Sequence, residues 1–430
     1  MFQADTRKIF IPVLIVVYAL VIFRAANVTF ENMGRSRTQI RGDSLSESLT
    51  WNGARYFFDH GFWATKFMPN YFYTGELAEK KIKEFKVEAI YTHFPSLPDV
   101  ITGVTAVILG TTDVRFLRIL PVLLSPLLIL LIWKCLNLLL DRREAIISTI
   151  ALVTANYFVA WADNIHKFQY EELVKWAILF IFLRRFRQQP TNYDIPLLGL
   201  LYFLAAAISF DAILVSAVIC IGFSWIYRRR IFTLETVVPG AMTVLCLMLH
   251  FGQNVLFFGS VDAAWKDITG IFFHRTIGLG PSETGPITLL TWLQHMFYWN
   301  INRVERYFLI PGWMIIIYAV ILYRRWRGAA DKTSAILVLF AIASVIWNCF
   351  MWQHAIVHVS TARNWAMISG LLSGPILVLM WNQFRNWRNI HNGWRVFLVI
   401  STIYFSGMVL TQHIWSIYLQ FGFLFRKYGQ

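Results

Sequence analysis

Charged residues are scarce in this chain of 430 residues. Asp, Glu, Lys and Arg make up 15% of it, while hydrophobic residues make up 57%. Soluble domains carry about 25% charged residues, so a water-exposed surface of ordinary extent is excluded. Acids are scarcer than bases, with 24 Asp and Glu against 39 Lys and Arg and a formal charge of +15. The composition predicts an all-α polytopic membrane protein whose core is helix embedded in lipid.

Cysteine is also rare, and its placement excludes a second class of protein. The four cysteines lie inside apolar runs, so they do not indicate the disulfide framework of a small secreted domain. They are predicted to be packing residues. The bases lie scattered at the ends of apolar runs and form no single stripe, which disfavours nucleic acid as a partner and favours membrane lipids.

Long hydrophobic runs are what the chain has in abundance. Arg7 and Lys8 precede the run 9–23, which predicts an uncleaved amino-terminal anchor. Counting this anchor, about eleven transmembrane helices are predicted. The basic clusters between the helices then fall on the same side as Arg7 and Lys8, which is the positive-inside pattern. The ten further spans are 115–134, 144–161, 172–186, 195–209, 211–227, 232–254, 309–323, 333–352, 365–381 and 394–412.

One apolar segment, 97–110, is too short to be a span and is predicted to be a helix on the outer surface. If it crossed the bilayer, every later basic cluster would move to the outside. The chain is therefore predicted to be a single transmembrane domain, 1–430. Residues 27–113 form its first outer loop, with juxtamembrane helices, and 259–308 form a second large outer loop. This topology puts the carboxyl terminus outside.

The same topology places all but six of the 24 acids on the outer face. Asp43 and Glu47 are four residues apart, so a helix would direct both carboxylates to one side. Glu171, Glu172 and Asp211 lie against the outer ends of spans, where a carboxylate is costly unless it is paired or useful. Two interpretations stay open: catalytic acids, or structural acids that cap helices and pair with neighbours such as His166 and Lys167.

Outer cations suit an anionic and partly apolar ligand. The loop 259–308 contains Arg275, Arg303 and Arg306, interleaved with Trp and Tyr. Arginine binds phosphate with paired hydrogen bonds, while the rings anchor at the level of lipid headgroups or stack on sugars. The alternative is an interfacial aromatic belt with snorkelling cations.

A second cationic segment follows at His354, His358 and Arg363. The two histidines are one helical turn apart, a spacing that can bind zinc. No H-E-x-x-H signature accompanies them, so hydrogen bonds to a phosphate are the favoured interpretation.

The order of motifs resembles a known family. After one amino-terminal span come G-D-S-x-S-E from Gly42, A-R-Y-F-x-x-H-G-F-W from Ala54, and Y-T-H-F-P-S-L-P from Tyr91. This layout resembles the GT-C superfamily of membrane glycosyltransferases, especially the protein O-mannosyltransferases and the bacterial aminoarabinose transferases of lipid A. Ser96 replaces the second proline of the family's P-P-L element. Asp211 lies where some relatives have a basic residue.

The resemblance implies a reaction. A sugar moves from a polyprenyl-phosphate donor to a hydroxyl of a protein, lipid or glycan acceptor on the outer face, with inversion. Asp43 would be the general base.

Relatives differ over metal dependence, so no metal ligand is assigned and a divalent cation stays open as a cofactor. Glu47, Glu171 and Glu172 are the other candidate catalytic acids. The candidate phosphate ligands are Arg275, Arg303, Arg306, His354, His358 and Arg363; the candidate substrate contacts are Arg55, Tyr91, His93 and Asp211.

Two other functions remain open at this point. A ligase that joins lipid-linked glycans to a carrier would also use Arg303 and Arg306. A multi-pass transporter would show inverted repeats and charges near the middle of its spans, which the sequence does not clearly show. By analogy with the bacterial relatives, we expect an integral protein of the bacterial inner membrane with its active site facing outward.

Overall fold

The structure is a computed structural model. It describes residues 2–27, 44–73, 90–93, 95–188, 190–277, 288–327, 332–357, 359–389 and 391–427. Within these ranges the chain is all-α, as predicted, and its strand-like contacts amount to one isolated antiparallel bridge between Asn70 and Ile90.

Helices follow one another with short connections. Val359–Trp365 and Trp387–Asn389 are 3-10 helices, and a π turn, His295–Trp299, joins α13 to α14. The helices are α1 Phe2–Asn27, α2 Ser44–His60, α3 Leu97–Leu109, α4 Val114–Leu117, α5 Ile119–Leu139, α6 Arg142–Val153, α7 Asn156–Val159, α8 Lys167–Arg187, α9 Asp194–Ile208, α10 Phe210–Arg228, α11 Leu234–Phe258, α12 Val261–Ile277, α13 Leu289–Gln294, α14 Asn300–Tyr307, α15 Gly312–Trp326, α16 Thr333–Phe350, α17 Trp352–Val357, α18 Ala366–Arg385 and α19 Asn392–Lys427.

The chain is an integral multi-pass membrane protein. Its described part contains seven helical stretches that are long and apolar enough to cross a bilayer. The 13-residue helix α3 is shorter than a span, as the sequence predicted for a surface helix. The count of eleven spans stays a prediction. The seven stretches are Phe10–Asn27, Val114–Leu139, Phe210–Arg228, Leu234–Phe258, Thr333–Phe350, Ser360–Arg385 and Asn392–Thr411.

One sequence-based span was wrong. The span predicted at 144–161 is not one helix, because Ala155 has extended backbone angles (φ −79°, ψ 160°) and separates α6 from α7. The last span, predicted at 394–412, agrees with the candidate span Asn392–Thr411, and the helix that contains it continues to Lys427. Segment 259–308, predicted as the second large outer loop, is largely helical where it is described, and its place outside the membrane stays a prediction.

Helix α8 lies at the centre of the bundle. Trp176, Ile178, Leu179 and Phe182 on this helix have no exposed surface. Nearby, α6 and α18 pack with their backbones almost in contact. A Cβ atom on Gly374 would lie 2.1 Å from the carbonyl oxygen of Glu144, so only glycine fits at this crossing. Polar residues near the amino end of α8 are consequently shielded from lipid and water.

The cysteines behave as packing residues with one exception. Cys135, Cys220 and Cys246 are buried and all four cysteines are free, whereas Cys349 is exposed, so the prediction was wrong for that residue.

Candidate active site

A buried network of acids and one lysine lies at the amino end of α8; we call Glu171, Glu172, Lys175, Asp211 and Asn364 the acid–lysine network. Residues three and four apart share a helix face, so Lys175 reaches both glutamates. Its Nζ lies 2.6 Å from Oε1 of Glu171 and 3.0 Å from Oε1 of Glu172. The ammonium group therefore compensates two carboxylates that are excluded from water.

Two other elements complete the network. Lys175 Nζ donates to Oδ1 of Asn364 at 2.9 Å, and Asn364 Nδ2 donates to Oδ1 of Asp211 at 2.8 Å. Asn364 belongs to the 3-10 helix 359–365 and Asp211 to the first turn of α10. Ser209, the N-cap of α10, donates to Glu171 Oε2 at 3.3 Å. The predicted acids Glu171, Glu172 and Asp211 are thus brought together from separate helices.

Arg363 joins this network from a pocket of aromatic rings. Its Nη2 lies 3.4 Å from Glu172 Oε1 and donates to the carbonyl of Phe168 at 3.1 Å. Its guanidinium carbon lies 4.7 Å from the centroid of Trp161. Tyr157 donates its hydroxyl proton to Glu172 Oε2. Arg363, predicted as a phosphate ligand, is thereby engaged with Glu172.

This arrangement restricts what the two glutamates can do. A general base needs a lone pair directed at the acceptor, whereas Glu171 and Glu172 direct oxygens at Lys175. The ammonium group also lies where a metal bridging both carboxylates would lie. Within the described ranges no cluster of three or more His, Cys, Asp or Glu could hold a metal. A divalent cation stays open as a cofactor.

A second set of buried charges anchors α2. Glu47 pairs through both carboxylate oxygens with Arg118, which separates α4 from α5, at 2.9 and 3.1 Å. Arg24 of α1 pairs with Asp163 before α8. All four side chains are nearly inaccessible. Glu47, predicted as a catalytic acid, is therefore held by Arg118 and locks α2 to the bundle. Asp43 lies outside the described residues.

The candidate substrate contacts lie on two surfaces. The Arg55 guanidinium lies 4.7 Å from the ring of Trp51 on α2. The ring of Tyr91 stacks on Tyr71 with centroids 4.5 Å apart, and His93 meets Tyr91 edge-on at 4.7 Å. Tyr91 and His93 thus contact each other, whereas Asp211 bonds to Asn364 within the acid–lysine network.

The candidate phosphate ligands are only partly described. Arg303 Nη1 donates to the carbonyl of Ala355 at 2.6 Å, and His354 Nδ1 accepts a hydrogen bond from Trp347 Nε1 at 3.1 Å. Arg303 is therefore next to the segment that carries His354. His358 and the side chains of Arg275 and Arg306 lie outside the described residues.

Sequence reasoning missed several residues at this site. Lys175 offered a signal: a lysine in an apolar run, three and four residues after two glutamates. Arg24 and Arg118 carried only the weaker signal of a charge at the end of a span. His166 and Lys167 were expected as partners of the neighbouring acids. The ion pairs described join Asp163 to Arg24 and both glutamates to Lys175, and Lys167 also interacts electrostatically with Glu171.

Asp99 is another buried acid that the sequence did not single out. It lies on α3 and is 1% exposed. Tyr71 donates its hydroxyl proton to Asp99 Oδ2 at 3.0 Å. Burial raises the pKa of Asp99 from 3.8 to about 6, against the lowering effect of hydrogen bonds from Thr50 and Tyr71.

This raised pKa predicts a pH-dependent stability. The folded state binds the Asp99 proton more tightly than the unfolded state, so stability falls as pH rises from about 4 to about 6 and levels off above that. In Asp99→Asn this decrease should be absent, a difference of about 2–3 kcal/mol between the ends of the range. Thermal unfolding of both proteins in detergent from pH 4 to 7.5 measures it. If the stability of the two proteins depends on pH in the same way, Asp99 does not cause the decrease.

An apolar groove of about 1180 Å³ opens beside residues 63–67. Phe203 and Ala207 of α9 form one wall, and the last three turns of α11 form the other. Lys66 and His250 are among the few polar residues that line it. The α9 wall includes Ala207, two residues before Ser209, whose hydroxyl donates to Glu171 of the acid–lysine network.

The comparisons with known proteins find similar solved structures. No family model and no curated protein matches the chain. Among similar solved structures is the apo oligosaccharyltransferase of Archaeoglobus fulgidus, with a TM-score of 0.52 and 12% identity over 96% of this chain and 56% of that one. The same enzyme tethered to an acceptor peptide has a TM-score of 0.49 and 12% identity over 96% of this chain and 55% of that one. Its complex with Zn and sulfate has a TM-score of 0.48 and 14% identity over 94% of this chain and 52% of that one.

These identities are low, and the chain spans about half the length of the archaeal enzyme. The likeness to the apo form therefore concerns the fold. The chain thus shares an all-α membrane fold with this oligosaccharyltransferase over most of its own length.

Proposed function

We propose that the protein is a membrane glycosyltransferase that moves a sugar from a polyprenyl-phosphate donor to an acceptor hydroxyl. The observation that carries this proposal is the apolar groove of about 1180 Å³, whose wall on α9 ends two residues before Ser209, the partner of Glu171. Such a site accommodates a molecule with a long apolar tail and a polar head. The fold likeness to an oligosaccharyltransferase supports a glycosyl transfer.

The chemistry assigns a role to each group. The acceptor oxygen forms a bond to the anomeric carbon as the bond from that carbon to the phosphate oxygen breaks, which inverts the centre. A carboxylate takes the proton of the acceptor hydroxyl. Glu47 is paired with Arg118, and Glu171 and Glu172 are paired with Lys175. We therefore assign the base to Asp43. Arg303, with Arg275 and Arg306, stabilises the departing phosphate.

A second candidate is a ligase that transfers an assembled lipid-linked glycan. It is favoured by the likeness to an oligosaccharyltransferase. Both candidates place the reaction at the outer end of the bundle. In both cases we propose that the protein lies in the bacterial inner membrane and that the acceptor is a protein, a lipid or a glycan.

The direct test uses the purified protein in nanodiscs. Polyprenyl-phosphate sugars of different headgroups, and polyprenyl-linked glycans, are supplied with candidate acceptors, and release of the polyprenyl carrier is followed by mass spectrometry. A monosaccharide donor that turns over supports the first candidate. An assembled glycan as the sole active donor supports the ligase. Carrier release from none of the donors, by protein that is folded and monodisperse, would overturn both.

Arg303 provides a test of phosphate binding. A hydrogen bond to a charged group contributes about 1.5–3 kcal/mol, so Arg303→Ala should lower kcat/KM for the donor about 10- to 100-fold. Arg303→Lys, which keeps the charge, should retain more activity. Arg115→Ala is the matched control, because Arg115 is an exposed arginine paired with Asp113. Equal activity in wild type and Arg303→Ala would assign Arg303 to an interfacial belt.

A further inference from the structure

Three side chains from later helices form hydrogen bonds with Thr92 in the segment 90–93. The carbonyl oxygen of Thr92 accepts hydrogen bonds from Asn254 Nδ2 at 2.9 Å and from His250 Nε2 at 3.1 Å. Its hydroxyl donates to Oδ2 of Asp267 at 2.7 Å. We call His250, Asn254 and Asp267 the Thr92 clamp. They come from α11 and α12, more than 150 residues further along the chain.

The clamp fixes where the flanking rings lie. Tyr91 and His93 contact each other with centroids 4.7 Å apart, and Tyr91 stacks on Tyr71. Asn70 and Ile90 form an antiparallel bridge, and the Tyr91 amide donates to the carbonyl of Pro69 at 2.9 Å. Thr92 is 4% exposed, whereas Tyr91 and His93 are partly exposed. The buried residue is thus the anchor, and its neighbours form the accessible surface.

One clamp residue also belongs to the groove. His250 and its neighbour Gln253 line the apolar groove, while His250 Nε2 bonds to Thr92. Gln253 Nε2 donates to the carbonyl of Lys66 at 2.7 Å, and its Oε1 lies 3.4 Å from Nδ1 of His250. A molecule filling the groove therefore packs against the same stretch of α11 that holds segment 90–93.

We propose that the Thr92 clamp positions Tyr91 and His93 and couples their placement to occupation of the groove by a polyprenyl chain. The proposal rests on the proposed function, which places the donor lipid in this groove. A ligand that packs against α11 while the clamp hydrogen bonds are formed binds that state better than the state in which they are broken. The ligand therefore shifts segment 90–93 toward the hydrogen-bonded state. By reciprocity, a substrate bound at Tyr91 and His93 tightens lipid binding by the same factor. His250, Asn254 and Asp267 are positioning residues.

Hydrogen exchange measures the clamp without requiring turnover. In lipid-free nanodiscs, Asn254→Leu should raise the exchange rate of the amides of 90–93 about fivefold, the factor that corresponds to one lost hydrogen bond of about 1 kcal/mol. Asp267→Leu should act similarly, and Asp267→Asn should restore slow exchange because its amide oxygen still accepts from Thr92. Thr269→Val, on the same helix as Asp267 but outside the clamp, should exchange like wild type, because the Thr269 hydroxyl bonds to the carbonyl of Trp265 in its own helix.

Adding polyprenyl phosphate tests the coupling. In wild type it should slow exchange of 90–93 severalfold, and in His250→Phe it should have little effect on that segment while still binding. Equal slowing in both proteins would overturn the coupling, and unchanged exchange in Asn254→Leu and Asp267→Leu would overturn the clamp. If native mass spectrometry shows no polyprenyl phosphate on wild type, the proposed function and the coupling both fail, while the lipid-free comparison still decides the clamp.

Discussion

Lys175→Met is expected to destabilise the folded protein by about 3–5 kcal/mol, because it removes the lysine that forms ion pairs with two buried carboxylates. Lys175 Nζ lies within 3.0 Å of both Glu171 and Glu172 and also donates to Asn364. Methionine has a similar length and fills the same space, so loss of packing contributes little. Thermal unfolding in detergent and the yield of monodisperse protein measure the effect.

The chain supplies a matched control for this substitution. Lys266 and Asp262 form an ion pair of 2.6 Å with the same four-residue spacing as Lys175 and Glu171, but both side chains are more than 70% exposed. Exposed pairs of this kind add little stability, so Lys266→Met should unfold close to wild type.

A second variant tests whether charge is the cause. Adding Glu171→Gln to Lys175→Met removes one of the unpaired carboxylates and should recover part of the lost stability. If Lys175→Met unfolds like wild type, or if the double variant is less stable than the single, the acid–lysine network does not have the energetic role proposed here.

The membrane class and the positions of most helices were predictable from the sequence, because they depend on local composition. Apolar runs and their basic ends mark spans whatever the helices later contact. The break at Ala155 was not predictable in this way, since the run 144–161 is apolar on both sides of it. Interruption of a helix inside an apolar run depends on the packing of the bundle.

The site was predictable in its acids but not in their partners. Glu171, Glu172 and Asp211 were singled out as costly charges at the ends of spans, and the structure brings them together. The partners of the buried charges come mostly from distant parts of the chain. Arg24 and Asp163 are 139 residues apart, and Asn364 and Asp211 are 153 apart. Pairs of this kind follow from the tertiary fold, so a single sequence carries little signal for them.

Asp43→Asn is expected to abolish most of the transfer while leaving the fold intact. A general base contributes about 10²- to 10⁴-fold in rate, and an amide cannot take up the acceptor's proton. Asp43 directly precedes Ser44, the first residue of α2, and Glu47 in the next turn is held by Arg118. Anchoring of α2 by Glu47 thus limits movement of the helix next to the proposed base, while leaving Glu47 itself engaged.

The same substitution distinguishes the base from a structural acid. Asn caps a helix about as well as Asp, so a purely capping role predicts retained activity and unchanged stability. Glu47→Gln is the contrasting variant. It weakens a buried pair with Arg118 and should lower stability more than Asp43→Asn does. The measurements are kcat for carrier release and thermal unfolding of both variants. If purified Asp43→Asn transfers sugar at the wild-type rate, Asp43 is not the base, and the role passes to an acid whose present partner must first be displaced, either Lys175 at Glu171 and Glu172 or Arg118 at Glu47.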